Sequence, residues 1–309
     1  KQDWQIIIDK IKAGKAHEIS ESDTMYLAAC TKGANAKSMR QQPFSDIPAK
    51  QRAYSLKSSY MTAYARRILM DEDVISVFKP EELQSKSVEA LLQERFAPYI
   101  GRTIYELKKH INLAENKNKA MYANLISDLL GIKGTNLDDT EEFAKANIKF
   151  KTIRLEPNGV PREHMSFEQI DFDRWLDAPW EESQVYETFE NTKFLFVVFQ
   201  FTEAERENPN RVPYLKGIKL WNMPEQVIET ELKDLWKTVH DILEAGVELT
   251  QTPRGVKNNL PGSKFNGVCH IRPKAANAAD KVQLPDGQMI TKQTYWLNRE
   301  YIAEIVREL

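Results

Sequence analysis

Hydrophobic positions in this chain follow two rhythms. The run KANIKFKTIRLEPNGVP, residues 145–161, alternates and predicts a strand over 147–155. Ile148, Phe150 and Thr152 then share one face, while Lys149 and Lys151 share the other, about 6–7 Å apart by strand rise. A Pro-Asn-Gly turn follows, and its Asn-Gly pair predicts a hairpin. TKFLFVVFQFTE, residues 192–203, is almost continuously apolar and predicts a strand buried on both faces. YLKGIKLW predicts a third strand, and GVELTQTP and NGVCHIRP two more. Helical periodicity marks SVEALLQERFAPYI, TIYELKKHI and KAMYANLISDLLG, the last stopped by Gly131. PEQVIETELKDLWKTVHDILEAG predicts a long helix with Pro224 in its first turn and Gly246 past its end. A final helix closes the chain. Helices flanking a mixed central sheet predict an α/β fold.

The chain also matches itself. DWQIIIDKIKAGKAHE near the start and DLWKTVHDILEAGVEL near the end are both amphipathic helices stopped by glycine. Trp4, Asp9 and Gly14 stand opposite Trp236, Asp241 and Gly246 at one constant offset. CTKGANAKS matches RPKAANAAD, with Lys32 opposite Lys274 and Asn35 opposite Asn277. AYSLKSSYMTAYARRIL matches TYWLNREYIAEIVREL, with Tyr54, Leu56 and Tyr60 opposite Tyr295, Leu297 and Tyr301. Three blocks in the same order predict a duplicated unit. Residues 1–72 read as the tail of a preceding unit, 73–87 as a polar, Pro-broken linker, and 88–309 as a complete second unit. The opening inside a helix, without an initiator Met, predicts a piece of a longer protein.

Composition changes this picture only locally. Of 309 residues, 41% are hydrophobic and 28% charged, enough for a sizeable core. No apolar run approaches the length of a membrane span, and no signal peptide opens the chain. Cys30 and Cys269 offer no disulfide framework and no zinc spacing, so a cytoplasmic setting without membrane partners is expected. The net charge of −2 argues against binding nucleic acid by bulk charge. Charge is segregated, however: residues 1–70 hold 12 Lys/Arg against 6 Asp/Glu, and 156–190 hold 2 against 10. That permits a local basic surface.

The RPKAAN loop, the KFKTIRLEPNG segment and the order TIYELKKHINL, KNKAMYANLISDLLG, DLWKTVHDILEAG resemble the MutH family. Along nearly the whole chain they resemble the C-terminal half of Sau-three-A-type restriction endonucleases. The resemblance implies a MutH-like, restriction-endonuclease-like fold. It also implies a parent type II deoxyribonuclease that cuts GATC sites with Mg, built from a catalytic N-terminal unit and a degenerate C-terminal one. Catalytic members place an Asp, a Glu seven residues later and a Lys two beyond that around a divalent metal. Asp241 and Glu248 have the first spacing, but Asp241 falls on a helix and Thr250 replaces the lysine. The family alignment instead puts Glu142, Lys149 and Lys151 on these positions, and Ser127 on an assisting carboxylate. A lysine about 4 Å from a divalent ion is repelled by roughly 8 kcal/mol at an effective dielectric near 20. No metal and no catalytic residue are therefore expected in this chain, and the lysine pair is expected to hold a DNA phosphate.

The resemblance carries base reading to Arg272 and Pro273, with Lys274 and Asn277 beside them. An arginine fork suits guanine O6 and N7. Lys117, Lys119 and Lys292 are candidate backbone contacts, and Lys32 and Lys37 are candidates in the first copy. The five histidines form no constellation along the chain. The leading expectation is a non-catalytic effector domain that binds a GATC-like duplex and works with the catalytic domain of the same polypeptide, with a homodimer on DNA possible. An active nuclease using a displaced carboxylate, and a pure dimerisation or looping domain, stay open.

Overall fold

The structure is a computed structural model that describes residues 1–33, 38–69, 75–110, 121–132, 136–253, 255–277 and 279–309. In chain order the helices and strands begin with α1 (Gln2–Lys12), β1 (Leu27–Thr31), β2 (Met39–Gln42), β3 (Ser45–Lys50), β4 (Arg52–Leu56) and α2 (Ser58–Leu69). Next come α3 (Pro80–Ser85), α4 (Val88–Phe96), α5 (Ile104–His110), α6 (Met121–Leu129), α7 (Glu141–Ala146) and β5 (Ile148–Leu155). They continue through β6 (Met165–Gln169), α8 (Phe172–Asp177), α9 (Gln184–Asn191), β7 (Lys193–Gln200) and β8 (Tyr214–Trp221). The last group is α10 (Glu225–Val227), α11 (Lys233–Ala245), β9 (Leu249–Thr252), β10 (Gly255–Asn258), β11 (Cys269–Pro273), β12 (Lys281–Gln283), β13 (Met289–Thr291), β14 (Gln293–Leu297) and α12 (Arg299–Ile305). No described helix is long and apolar enough to cross a membrane.

Two compact units emerge. The first comprises Lys1–Gly159, Asn191–Met223 and Val306–Leu309; the second comprises Val160–Glu190 and Pro224–Ile305. In the first unit, β7 runs parallel to β5 and antiparallel to β8. The central β7 is buried from Lys193 to Phe199, as its continuous apolar run predicts. Leu195, Val197 and Phe199 pack with Phe96, Leu107, Leu125, Ile126 and Phe143 of the surrounding helices. Tyr122 meets Phe199 edge-on at 5.0 Å.

The described strands fall into several small sheets and not the single central sheet expected. β9 pairs only with β10, and β11 lies in a separate sheet ordered β11-β14-β6. The hairpin expected after β5 does not form either. Gly159 adopts φ +79 and closes a turn onto Glu156, but the next strand, β6, pairs with β14. β5 instead pairs parallel with β7, the strand buried on both faces.

Residues 1–69 belong to the first unit, together with α7 and β5. Ser59 Oγ donates to Lys145 O (2.9 Å) and Lys57 Nζ to Ala146 O (3.3 Å), joining β4 and α2 to α7. Lys193 Nζ donates to Asp23 O at 3.1 Å. Within the described part of the stretch expected as a linker, Val77 and Phe78 are buried in the core and α3 follows them. The long helix expected over 224–245 contains a wider turn, Ile228–Leu232. The carbonyl of Glu231 in that turn accepts from Asn266 Nδ2 at 2.8 Å, which compensates the altered ladder.

Truncating the central strand tests this account. Phe199→Ala should cost about 3–5 kcal/mol in urea unfolding, the range for a fully buried aromatic. A loss under about 1 kcal/mol would show that β7 is not the centre of this core.

Candidate functional site

The lysine strand is set by the helix before it. Asn147 ends α7 in the left-handed conformation, φ 52, and its Nδ2 donates to Asn191 O and Thr192 Oγ1. That sharp turn feeds the chain from α7 directly into β5. Lys149 is exposed, with Nζ 3.9 Å from Asp138 Oδ2. Asp138 Oδ1 accepts from the Phe150 amide at 2.7 Å. Burial raises the Asp138 carboxyl above its ordinary range, against the pull of that amide and of the charges on Lys149 and Lys151. An acid thus pairs with Lys149 and also feels the charge of Lys151. The sequence reading missed it because Asp138 lies in a separate turn, Leu137–Asp139, ahead of α7.

Glu142 is buried in α7 and fully engaged. Its Oε2 accepts from Val77 N at 2.9 Å and its Oε1 from Phe78 N at 3.2 Å, with Ser76 Oγ as a further donor. Ser127 is buried on α6. A divalent cation asks for several oxygen ligands at short range. The positions implied for Mg offer a carboxylate taken by three donors, a buried neutral serine and a lysine. This donor set does not fit a divalent metal.

The second cluster surrounds the end of β11. Arg272 and Pro273 are the last two residues of that strand, paired with Thr294 and Gln293, so strand pairing as well as the proline holds Arg272 extended. Both are exposed, as are Lys274 and Asn277. The Arg272 guanidinium lies 5.6 Å and the Lys274 ammonium 6.0 Å from the centroid of the Trp296 ring. Trp296 Nε1 donates to Arg272 O at 3.2 Å. Cation–π attraction and that hydrogen bond hold both cations over one indole. Trp296 is a functional candidate the sequence reading did not single out; its signal is its place on the strand paired with β11. Lys274 Nζ also donates to Ser166 Oγ at 2.8 Å. Lys292 pairs with Asp280 at 2.7 Å, and Asn277 Oδ1 accepts from Ala279 N at 2.9 Å. These two shape the loop as much as they present groups from it.

In the first copy Lys32 is exposed, and its amide donates to Gln51 O at 2.8 Å. Lys37, Lys117 and Lys119 lie outside the described residues. The Asp241–Glu248 spacing brings no metal pair together. Asp241 is held by Lys237 at 2.6 Å on α11, whereas Glu248 is exposed just before β9. Asp241 does lie with His240 and Glu244, their ligand atoms within 4.8 Å of one another. His164 and His270, far apart in sequence, meet with ring centroids 4.6 Å apart.

His270 is buried, with Nδ1 bonded to Asn298 Oδ1, and burial pushes its pKa down to about 4 from 6.5. Between these values the unfolded chain takes up a proton that the folded chain does not. Stability should therefore fall as pH drops from 6.5 towards 4. In His270→Gln, urea unfolding against pH should show a shallower slope across that window. An unchanged slope would assign the acid sensitivity elsewhere.

No protein-family model matches the chain. It is 37% identical over 348 residues to the type II restriction enzyme Sau3AI of Staphylococcus aureus, an alignment covering all of this chain and 70% of that enzyme. It is 25% identical over 228 residues to the DNA mismatch repair protein MutH of Histophilus somni strain 2336, covering 71% of this chain and 94% of that protein. Against MutH of Vibrio campbellii the identity is 26% over 194 residues, covering 62% and 78%. Identity of that extent to a restriction enzyme, with weaker likeness to MutH, shows the family: the chain belongs to the Sau3AI-type, MutH-like family of restriction enzymes.

Proposed function

We propose that this chain is a DNA-binding effector module of a Mg-dependent type II restriction endonuclease, holding a GATC-like duplex without cutting it. The observation that carries the reading is the state of the ancestral metal positions. Glu142 is consumed by Ser76, Val77 and Phe78, and Lys149 stands where a carboxylate would face the cation. A cation in place of a metal ligand neutralises a phosphate yet supplies neither a Lewis acid nor an activated water. The β5-β7-β8 sheet then represents the core of a restriction-endonuclease-like fold. Arg272, braced by Trp296 and aided by Pro273 and Lys274, reads base edges in the major groove. Lys149 and Lys151, with Lys292 in support, contact the backbone. The partners are double-stranded DNA and the catalytic unit of the same cytoplasmic polypeptide, whose activity a second bound site favours through a coupling free energy.

A gel-shift and nicking assay on GATC and scrambled duplexes, with and without Mg, tests this directly. The expected result is selective binding with no scission. Nicking by purified chain would establish a working nuclease, and equal affinity for both duplexes would leave only an interaction domain. Arg272→Ala should lose about tenfold or more in preference for GATC, corresponding to about 1–3 kcal/mol for one bidentate base contact. Lys149→Ala should weaken binding to both duplexes and lower the slope of log affinity against log salt by about one. Equal effects of the two substitutions on preference would refute these roles.

A further inference from the structure

A helix C-terminus is the negative end of the helix dipole and ordinarily gathers cations. The end of α11 gathers acids. Its last turn holds no basic residue, and Glu244 stands in it. Asp286 adds to the charge: a Cβ on Gly246, the residue past the helix end, would lie 3.7 Å from Asp286 Oδ2. The backbone and side-chain amides of Gln288 both donate to Asp286 and hold its carboxyl below the ordinary range, so it stays ionised. The corresponding helix of the first copy is arranged the other way. At the offset that sets Trp4 opposite Trp236, Lys12 stands opposite Glu244, and α1 carries Lys10 and Lys12 in its last turn.

His240 faces the same acids. It lies one turn before Glu244, with its Nδ1 3.8 Å from Glu244 Oε2 and 3.9 Å from Asp241 Oδ1. Ligand atoms of the three residues all lie within 4.8 Å of one another. The ring is fixed from behind. Nε2 lies 3.1 Å from the carbonyl oxygen of Leu176 on α8, which can only accept, so Nε2 carries the proton. In the neutral ring Nδ1 is then a lone pair turned towards two carboxylates. Trp236, one turn earlier, packs on the same imidazole with ring centroids 5.4 Å apart. An imidazole whose far nitrogen donates to a carbonyl is the arrangement that metal-bound histidines adopt. Lys237 takes Asp241 Oδ2 at 2.6 Å and leaves Oδ1 on the side of His240.

We infer that His240, Asp241 and Glu244 form a binding site for zinc or a neighbouring divalent ion of the first transition row. One imidazole with two carboxylates suits such an ion, whereas Mg and Ca favour shells made of oxygen alone. Zinc bonds of about 2.0–2.2 Å set tetrahedral ligands roughly 3.4 Å apart, so the three atoms must draw closer. The side chain of His240 is 22% exposed against 54% for Asp241 and 63% for Glu244. The carboxylates therefore close through water while the histidine stays in place. Three protein ligands leave a fourth position for a water molecule. The ion compensates the acids at the helix end and stiffens the joint between α11 and α8 through the His240–Leu176 bond. None of these residues is proposed to touch DNA, so this site and the effector reading fail independently.

Zinc titration of the full chain, stripped of metal with a chelator and held where imidazoles are neutral, tests the site by calorimetry and by imidazole nitrogen NMR. The expected result is one zinc per chain, with the His240 Nδ1 signal moving while Nε2 keeps its proton. His240→Ala and Glu244→Gln should each weaken binding about tenfold or more. Glu244→Lys, which restores the charge of the first copy, should abolish it. Lys237→Ala should bind at least as tightly as the unaltered chain, because Asp241 loses its competitor, and Glu248→Gln should bind equally. Metal-free Glu244→Gln should unfold in urea no earlier than the unaltered chain, which separates a lost ligand from a lost fold. Absence of zinc uptake would overturn the assignment. Uptake that His240→Ala and Glu244→Gln leave unchanged, or that moves a different imidazole, would also overturn it, by showing an adventitious ion only.

Discussion

A buried carboxylate needs donors, and Glu142 has three, two backbone amides and one serine hydroxyl. Its bonds to Val77 N, Phe78 N and Ser76 Oγ fix the segment ahead of α3 onto α7. Much else follows from that one anchor. Val77 and Phe78 are carried into the core of the first unit, and α7 is held where Asn147 can turn the chain into β5. The same bonds that organise this region remove the acid from any metal chemistry. A buried charge tolerates only a site where donors satisfy it. Glu142 is therefore kept as a structural acceptor.

The electrostatics of the lysine strand follow the same logic. Lys149 and Lys151 are not a bare cationic pair, because Asp138 pairs with Lys149, interacts with the charge of Lys151 and is itself braced by the Phe150 amide. Such a face is modest in net charge, and its ion pair, 3.9 Å long between partly exposed groups, is a weak one. At the other cluster, Arg272 and Lys274 lie against one indole, that of Trp296. Rigid cations are the form in which arginine discriminates bases, since less side-chain entropy is lost on contact.

Much of the fold was legible along the chain. The apolar run at 193–200 is a buried central strand, and YLKGIKLW is a strand over its full length. Gly14, Gly131 and Gly246 all sit at positive φ at or just past helix ends. The repeat was legible and is matched in strand register. Other features were not. An Asn-Gly pair says where the chain reverses but not which strand comes next to it, so β5 found β7 in place of a hairpin partner. Two apolar residues in a polar stretch, Val77 and Phe78, look like chance in one dimension; only the carboxylate of Glu142 gives them a place.

The sequence by itself determined periodicity, helix stops, charge segregation and the internal repeat, because these depend on side-chain identity and spacing. Tertiary structure alone decided that Asp138 pairs with Lys149, that Trp296 lies against Arg272, and that Glu142 is occupied. Those facts depend on contacts between residues distant in the chain, and no local pattern encodes a partner that only the fold brings within hydrogen-bonding distance.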